Sequence, residues 1–180
     1  MAGVWTDNWR AFRNIMLMGC HYNGFSTVTT IDGNLLSNRF GDTLSVVSPM
    51  GKYSTDISTS GSVCTIRLGT GNTPAAATDY QLESLAGVSY LSVITADPTF
   101  DDATGVMTRE ITLSVQNQTA NNITITEWGI YSCIRTMGSY SSNVATALLY
   151  REVLANPVTL GPLQAATLTL TMTLTLTDIL

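Results

Sequence analysis

Four glutamates, Glu83, Glu110, Glu127 and Glu152, are the residues from which carboxylate chemistry would be built in this chain. Glycoside hydrolysis needs two of them across a cleft, and Glu127 and Glu152 fall in adjacent strand patterns. A strand glutamate beside Trp128 has a commoner use, in hydrogen bonds to backbone or a pair with Arg135 or Arg151. Gly69-Thr70-Gly71-Asn72-Thr73-Pro74 follows a strand and imitates a dinucleotide fingerprint, with Asp97 downstream. The third glycine is missing and Pro74 removes an amide near the place where a phosphate needs donors, so a tight turn is the expectation. Asp97, Asp101 and Asp102 stand close enough to suggest calcium, but their spacing departs from an EF-hand loop and suits solvated turn aspartates. His21, the sole histidine, follows Cys20, and neighbours on an extended chain face opposite ways, which spoils a Cys-His nucleophile pair. The expectation is a protein with no catalytic residue, no cofactor and no metal.

The elements that must carry these residues are mostly strands. Trp5, Trp9, Phe12 and Met16 share one stripe at helical spacing, which predicts a helix over Trp5 to Met18 with Thr6 or Asp7 as its cap. Residues 1–21 then form a short N-terminal helical arm and residues 22–180 a single β domain. Turn signals at Asn23-Gly24, Asp32-Gly33, Ser48 to Gly51 and Thr59 to Gly61 divide short β-rich runs into successive hairpins. Ser62 to Leu68 reads as a strand. A loop follows it, leading into about two turns of helix before Gly87. Four long strands are predicted near Val106–Val115, Asn122–Ile134, Ala145–Leu154 and Ala166–Thr177, arranged as a meander. Strands longer than the usual 5 to 6 or so residues, with no alternating helices, favour an all-β antiparallel sandwich of jelly-roll type.

Composition narrows the function classes. The chain has 180 residues, of which 12% are charged and 44% hydrophobic, so 28 threonines and 16 serines must supply much of the surface polarity. Net charge is −5 and Lys52 is the only lysine, which removes the basic footprint of a nucleic-acid binder. Cys20, Cys64 and Cys133 are odd in number and widely spaced, as expected of free thiols in a reducing compartment. Arg10 to Cys20 faintly resembles a lipoprotein signal, but its continuous apolar run covers only Ile15 to Met18, well short of the roughly 7 to 15 residues such a signal needs. Synthesis in a cytoplasm is the expectation. No run approaches the roughly 20 apolar residues of a membrane span.

Thr167 to Thr177 alternates without a break. Leu168, Leu170, Met172, Leu174 and Leu176 form one face, predicted to be core, and the threonines form the other. That second face is neither charged nor apolar. Thr169, Thr171, Thr173 and Thr175 are therefore candidate contacts with another sheet or another copy of the chain, since threonines pair well across strands and nothing repels a neighbour. Simple exposure of a good strand former is the plainer alternative. Trp5, Trp9, Phe12 and Met16 are a second candidate interface, with packing on the chain's own sandwich as the alternative.

IRLGTGNTPAAATDYQLES (Ile66 to Ser84) runs from a strand through a G-T-G-x-T-x-P-type turn to D-x-x-L, and ITITEWGIYS (Ile123 to Ser132) is similar to an I-T-E-x-G-L-Y strand; in both the chain resembles tailed-bacteriophage virion proteins. LLYREVLANPVTLGPLQAATLTLTMTL (Leu148 to Leu174) resembles their closing unit, a strand, a P-V-x-L-x-P-G turn and a long alternating strand. Trp128 stands where a smaller aliphatic is usual, and Pro162-Leu163-Gln164 replaces the glycine-bearing turn. The resemblance implies a non-enzymatic structural component of a virion, a homo-oligomer in the tail, collar or on the head. Its partners would be its own copies and other virion proteins, with no direct nucleic acid and no membrane. The alternative function is a carbohydrate- or receptor-binding sandwich of the same particle, using Trp128, Tyr131, Tyr140 and Tyr150 with the loop Met137 to Asn143.

Overall fold

The computed structural model describes residues 3–10, 27–30, 32–37, 43–45, 57–58, 64–137, 143–175 and 178, with side chains at 3–10, 29–30, 32–34, 65–132, 146–175 and 178. Its strands are β1 (Val4–Trp5), β2 (Thr27–Thr29), β3 (Leu35–Ser37), β4 (Thr43–Ser45), β5 (Ile57–Ser58) and β6 (Cys64–Gly69), followed by β7 (Val88–Thr95) and β8 (Thr99–Asp101). The long strands are β9 (Val106–Asn117), β10 (Ile123–Met137), β11 (Asn143–Leu160) and β12 (Ala165–Leu174). One sheet runs β1-β11-β10-β6-β5 with β4 also on β10, and a second runs β12-β9-β7 with β8 also on β9. Apart from the short parallel pair β5–β6, the pairing is antiparallel, as the alternating patterns predict.

The four long strands form one hairpin folded over on itself, where a meander is the sequence expectation. β10 and β11 pair from Thr136↔Asn143 to Ile123↔Leu160, and β9 and β12 continue the ladder from Gln116↔Ala165 to Met107↔Leu174. Between the two stretches the ribbon turns a corner at 118–122 and 161–164 and passes from one sheet to the other. The physical reason is burial: a two-stranded ribbon has an apolar face to cover, and folding it supplies the second layer from the same chain. Asn117, fully buried, fastens the corner. Its amide nitrogen donates to the carbonyls of Asn121, Leu160 and Gly161 at 2.7, 3.0 and 3.0 Å, and its oxygen accepts from the amide and hydroxyl of Thr119. On the other arm, Gln164 N–H closes a turn onto Gly161 O, with Pro162 second and Leu163 third at φ +57°. A type II turn demands that positive φ, and glycine usually supplies it.

Between the sheets, Ile66, Leu68, Ile125, Trp128 and Ile130 meet Ile111, Leu113, Val115, Leu168, Leu170, Met172 and Leu174. The predicted core face of the last strand is thus buried through Leu174, each such side chain contributing about 1.5 to 3 kcal/mol; Leu176 lies outside the described residues.

Two expectations are corrected. The chain enters through β1, in which Val4 and Trp5 pair with Arg151 and Tyr150, so helix begins at residue 7 and not at Trp5; it is seen at 7–10, and residues 11–18 lie outside the described residues. Aromatic spacing of four imitates a helix here, but hydrogen bonding to the open side of β11 captures Trp5 as strand. Thr6 and Asn8 tie the segment down further: Thr6 Oγ1 donates to Leu148 O, and the Asn8 side chain bridges Leu148 O to the backbone of Thr29. Trp5 and Trp9, read as interface candidates, are only 5% and 3% exposed and lie in the chain's own core. Phe12 and Met16 lie outside the described residues. Second, residues 70–86 hold no helix but a succession of turns; Asp79, Glu83 and the backbone of Gly71 to Thr73 are drawn instead to partners on β10 and β11. Of the turn signals, Asp32-Gly33 joins β2 to β3 with Gly33 at φ +75°, and the other three lie outside the described residues.

Candidate functional site

Each sheet has an outer face, and the two differ in what lies on them. Cross-strand register assigns Glu127, Gly129 and Arg151 to the outer face of the β10–β11 sheet, because Gly129 lies opposite Arg151 and Glu127 alternates with Trp128. Tyr131 and Leu148, paired across a bulge, share that face and pack with Leu82 in a small second core. Glu152 lies opposite Trp128 and shares its inward face, so Glu127 and Glu152 point to opposite sides of the sheet. The carboxylate pair considered for glycoside hydrolysis is therefore not assembled.

Glu127 is instead bound by its own chain. Its Oε1 accepts from the amides of Gly71 and Ser84 at 3.1 Å each, and its Oε2 from Glu83 N–H at 3.3 Å and Arg151 Nε at 2.8 Å. The glycine-rich turn, expected only to be tight, cradles an anion, and that anion is a fully buried carboxylate of the neighbouring sheet strand. Gly69 and Gly71 leave no room for a side chain because that carboxylate stands against both. Arg151 completes the network, donating to Asp79 Oδ2 at 2.7 Å and Thr73 O at 3.1 Å, with Glu83 Oε2 3.8 Å away. Burial works against the Arg151 charge, yet the carboxylates of Asp79 and Glu127 outweigh it and raise its pKa further. Glu83 accepts from the amides of Thr73 and Asn72, which holds its carboxyl below the usual range. Tyr131 OH accepts from Leu82 N–H at 2.7 Å. Loop 70–86 is thus a roof over this face, hung on Glu127 and Arg151. A shallow depression in it is lined by Thr73, Asp79, Tyr80, Glu83 and Arg151, and these charged groups are satisfied by one another.

The other outer face carries a single charge on its three long strands. In β7, β9 and β12 the charged residues are Arg109 and Glu110; Arg109 is buried on the inner side with its Nε on Ala96 O. Outward lie Thr167, Thr169, Thr171 and Thr173 of β12, opposite Ser114, Thr112, Glu110 and Thr108 of β9, with Ser92 and Ile94 of β7 beyond. Thr167 and Ser114 join hydroxyls at 3.3 Å. Leu91 and Ile94 are 58% and 65% exposed beside them. Thr169 and Thr171 are exposed as expected, and Thr173 is half-buried. Thr175 falls past the strand end, where its amide and hydroxyl bind Asp178 Oδ2.

The remaining expectations resolve simply. Asp101 accepts from Thr104 Oγ1 and Ala103 N–H, which lowers its pKa as a turn aspartate, and no cluster of metal-ligating residues occurs among the described residues. The aromatics considered for stacking on sugars are core: Trp128, Tyr131 and Tyr150 are buried. Tyr150 lies 5.0 Å from both Trp5 and Trp128, ring centre to ring centre, and donates to Glu152 Oε2 at 2.9 Å; burial raises the pKa of both partners. Tyr140, His21 and Cys20 lie outside the described residues, as do the side chains of Cys64, Cys133 and Arg135. No helix among the described residues is long and apolar enough to cross a membrane. Sequence reasoning names Arg151 as one possible partner of Glu127 but misses Asp79, Glu83 and Tyr131. The usable signal is the glycine turn, an anion cradle needing an anion. No family model, curated protein or solved structure matches the chain.

Proposed function

We propose that this protein is a non-enzymatic structural component of a tailed-phage virion, a homo-oligomer of the tail, collar or head surface. The observation that supports it best is the outer face of the β7-β9-β12 sheet, where Glu110 is the one outward charge on those three strands and hydroxyls alternate with exposed Ile94 and Leu91. On a free monomer such a surface invites aggregation; covered by sister copies or neighbouring virion proteins it contributes shape and hydroxyl pairing without paying to desolvate charge. The three resembling segments support the same reading, and they coincide with the roof turn, β10 and the β11–β12 arm. The carboxylates that would serve a hydrolase are tied up internally, and three of the aromatics that would serve glycan binding are buried.

Sedimentation of the purified chain is expected to give one defined oligomer, and gold-labelled antibody is expected to mark a fixed position on intact particles. A protein that stays monomeric when concentrated and is absent from purified virions overturns the proposal.

A further inference from the structure

We infer that the free edge of β12 pairs with the β12 edge of a second copy, antiparallel across a two-fold axis near Thr169, joining two sheets into one. The inference rests on the self-association proposed above and specifies the strand through which it occurs.

Hydrogen-bond polarity identifies the outward groups. Asn117 N–H donates to Gln164 O, so in this antiparallel ladder the even-numbered residues of β12 bond to β9 and the odd-numbered ones turn their amides and carbonyls away. Thr173 agrees, since its carbonyl accepts from Trp5 Nε1 at 2.7 Å on that open side. Trp5 thus caps one end of the edge. Beyond it the backbone groups of Thr167, Thr169 and Thr171 point outward with no hydrogen-bond partner among the described residues.

Native edges are protected by charge, proline, bulges or brevity. The other long edges here show such devices: β11 carries Arg151, Glu152 and Pro157 with an irregular register, and β7 has a bulge between Tyr90 and Ser92. β12 has none of them across ten residues in unbroken register. The occupant follows from its sequence symmetry. A two-fold axis near Thr169 places Thr167 opposite Thr171 and Leu168 opposite Leu170, so hydroxyl face meets hydroxyl face and core face meets core face. No charge opposes its own copy. A foreign strand would be selected by charges or side-chain pockets, and this edge offers neither, whereas a second copy matches it in period, face and neutrality.

The test uses the full chain. Thr169→Pro removes an outward amide while leaving the β9 bonds of Leu168 and Leu170 in place, and should weaken dimerisation roughly tenfold or more. Thr169→Cys should form an intermolecular disulfide under mild oxidation, while Thr112→Cys, one strand inward on the same face, and the wild-type chain should not. Circular dichroism confirms folding, and the two cysteine variants keep the test valid if the proline variant misfolds. If Thr169→Pro folds and associates like wild type, or if the Thr112→Cys variant cross-links more readily than the Thr169→Cys variant, the edge inference fails while self-association through the sheet face stands. A wild-type chain that remains monomeric overturns both.

Discussion

The two outer faces of this sandwich are covered in opposite ways. On the β10–β11 sheet, loop 70–86 closes over Glu127 and Arg151 through charged and backbone hydrogen bonds, while Leu82 packs onto Tyr131 and Leu148. On the β7-β9-β12 sheet nothing described lies over the threonines. In a chain with few charged residues, Glu127 and Arg151 are placed where the protein covers itself. The contrast teaches what an uncovered neutral face is suited for. A self-covered face can use charge because the partner is always present and prepositioned; a face to be covered by another molecule does better with hydroxyls, which bury cheaply and pair in either direction.

The sharpest way to break the comparison is at its charged half. Arg151→Met leaves Glu127 buried beside amides alone and releases Asp79, and a broken buried pair of this kind costs about 3 to 5 kcal/mol. The urea midpoint should fall accordingly, and protease should cut within 70–86. Glu110→Gln on the bare face should change stability by less than about 0.5 kcal/mol. Equal losses from the two variants would mean that the roof is not held by charge.

Titration separates the faces next. An exposed tyrosine ionises near pH 10, whereas burial first, and then the nearby Glu127 charge, push Tyr131 up to about 12 against the opposing hydrogen bond from Leu82 N–H. The folded-state value is the higher one. Its contribution is therefore fully present below pH 10 and is lost as pH rises towards 12, a fall of about 2 to 3 kcal/mol. Tyr131→Phe should remove that share of the alkaline slope, leaving the parallel contribution from buried Tyr150. Glu83 has the opposite sign: held low by the Thr73 amide, it favours the folded roof above its ordinary value of 4.5, and this support is lost as pH falls below it. Denaturation midpoints across pH should show both arms in the wild type, and neither should respond to substitution of the outward threonines.

What could be read beforehand follows the same division. The bare face was legible because an alternating strand states its two faces directly: Leu168 to Leu174 in, Thr169 and Thr171 out. Strand partners were not, since period-two patterns do not say which strand lies alongside; β9 could have paired with β10 in sequence, and the corner depends on a single buried Asn117. The roof was half legible. Arg151 is among the partners expected for Glu127, but Gly69 to Pro74 reads only as a tight turn, and the carboxylate it cradles lies 56 residues away at Glu127, a separation over which sequence spacing carries no geometric information. Trp5 misled for a local reason: two residues are too few to show a strand period, while Trp9, four residues on, is helical and makes Trp5 read as the start of the same stripe.

The smallest expected effect lies at the turn where the bare sheet begins. Leu163 is 68% exposed at φ +57°, and its carbonyl accepts from Gln116 Nε2 at 2.9 Å, so its backbone is used while its side chain buries little. A left-handed conformation costs an L-residue about 1 to 2 kcal/mol, and glycine escapes that cost but gives back about 0.4 to 1 kcal/mol through a freer unfolded chain. Leu163→Gly should therefore stabilise the isolated protein by under about 1 kcal/mol, read as a small rise in the urea midpoint. Under the self-association proposed above, the Leu163 side chain, exposed at the rim of the uncovered face, is a contact that a neighbouring copy would cover. The same substitution should then weaken self-association while stabilising the fold. Stabilisation with unchanged association would confine the neighbour's contact to the strands and leave the turn outside it.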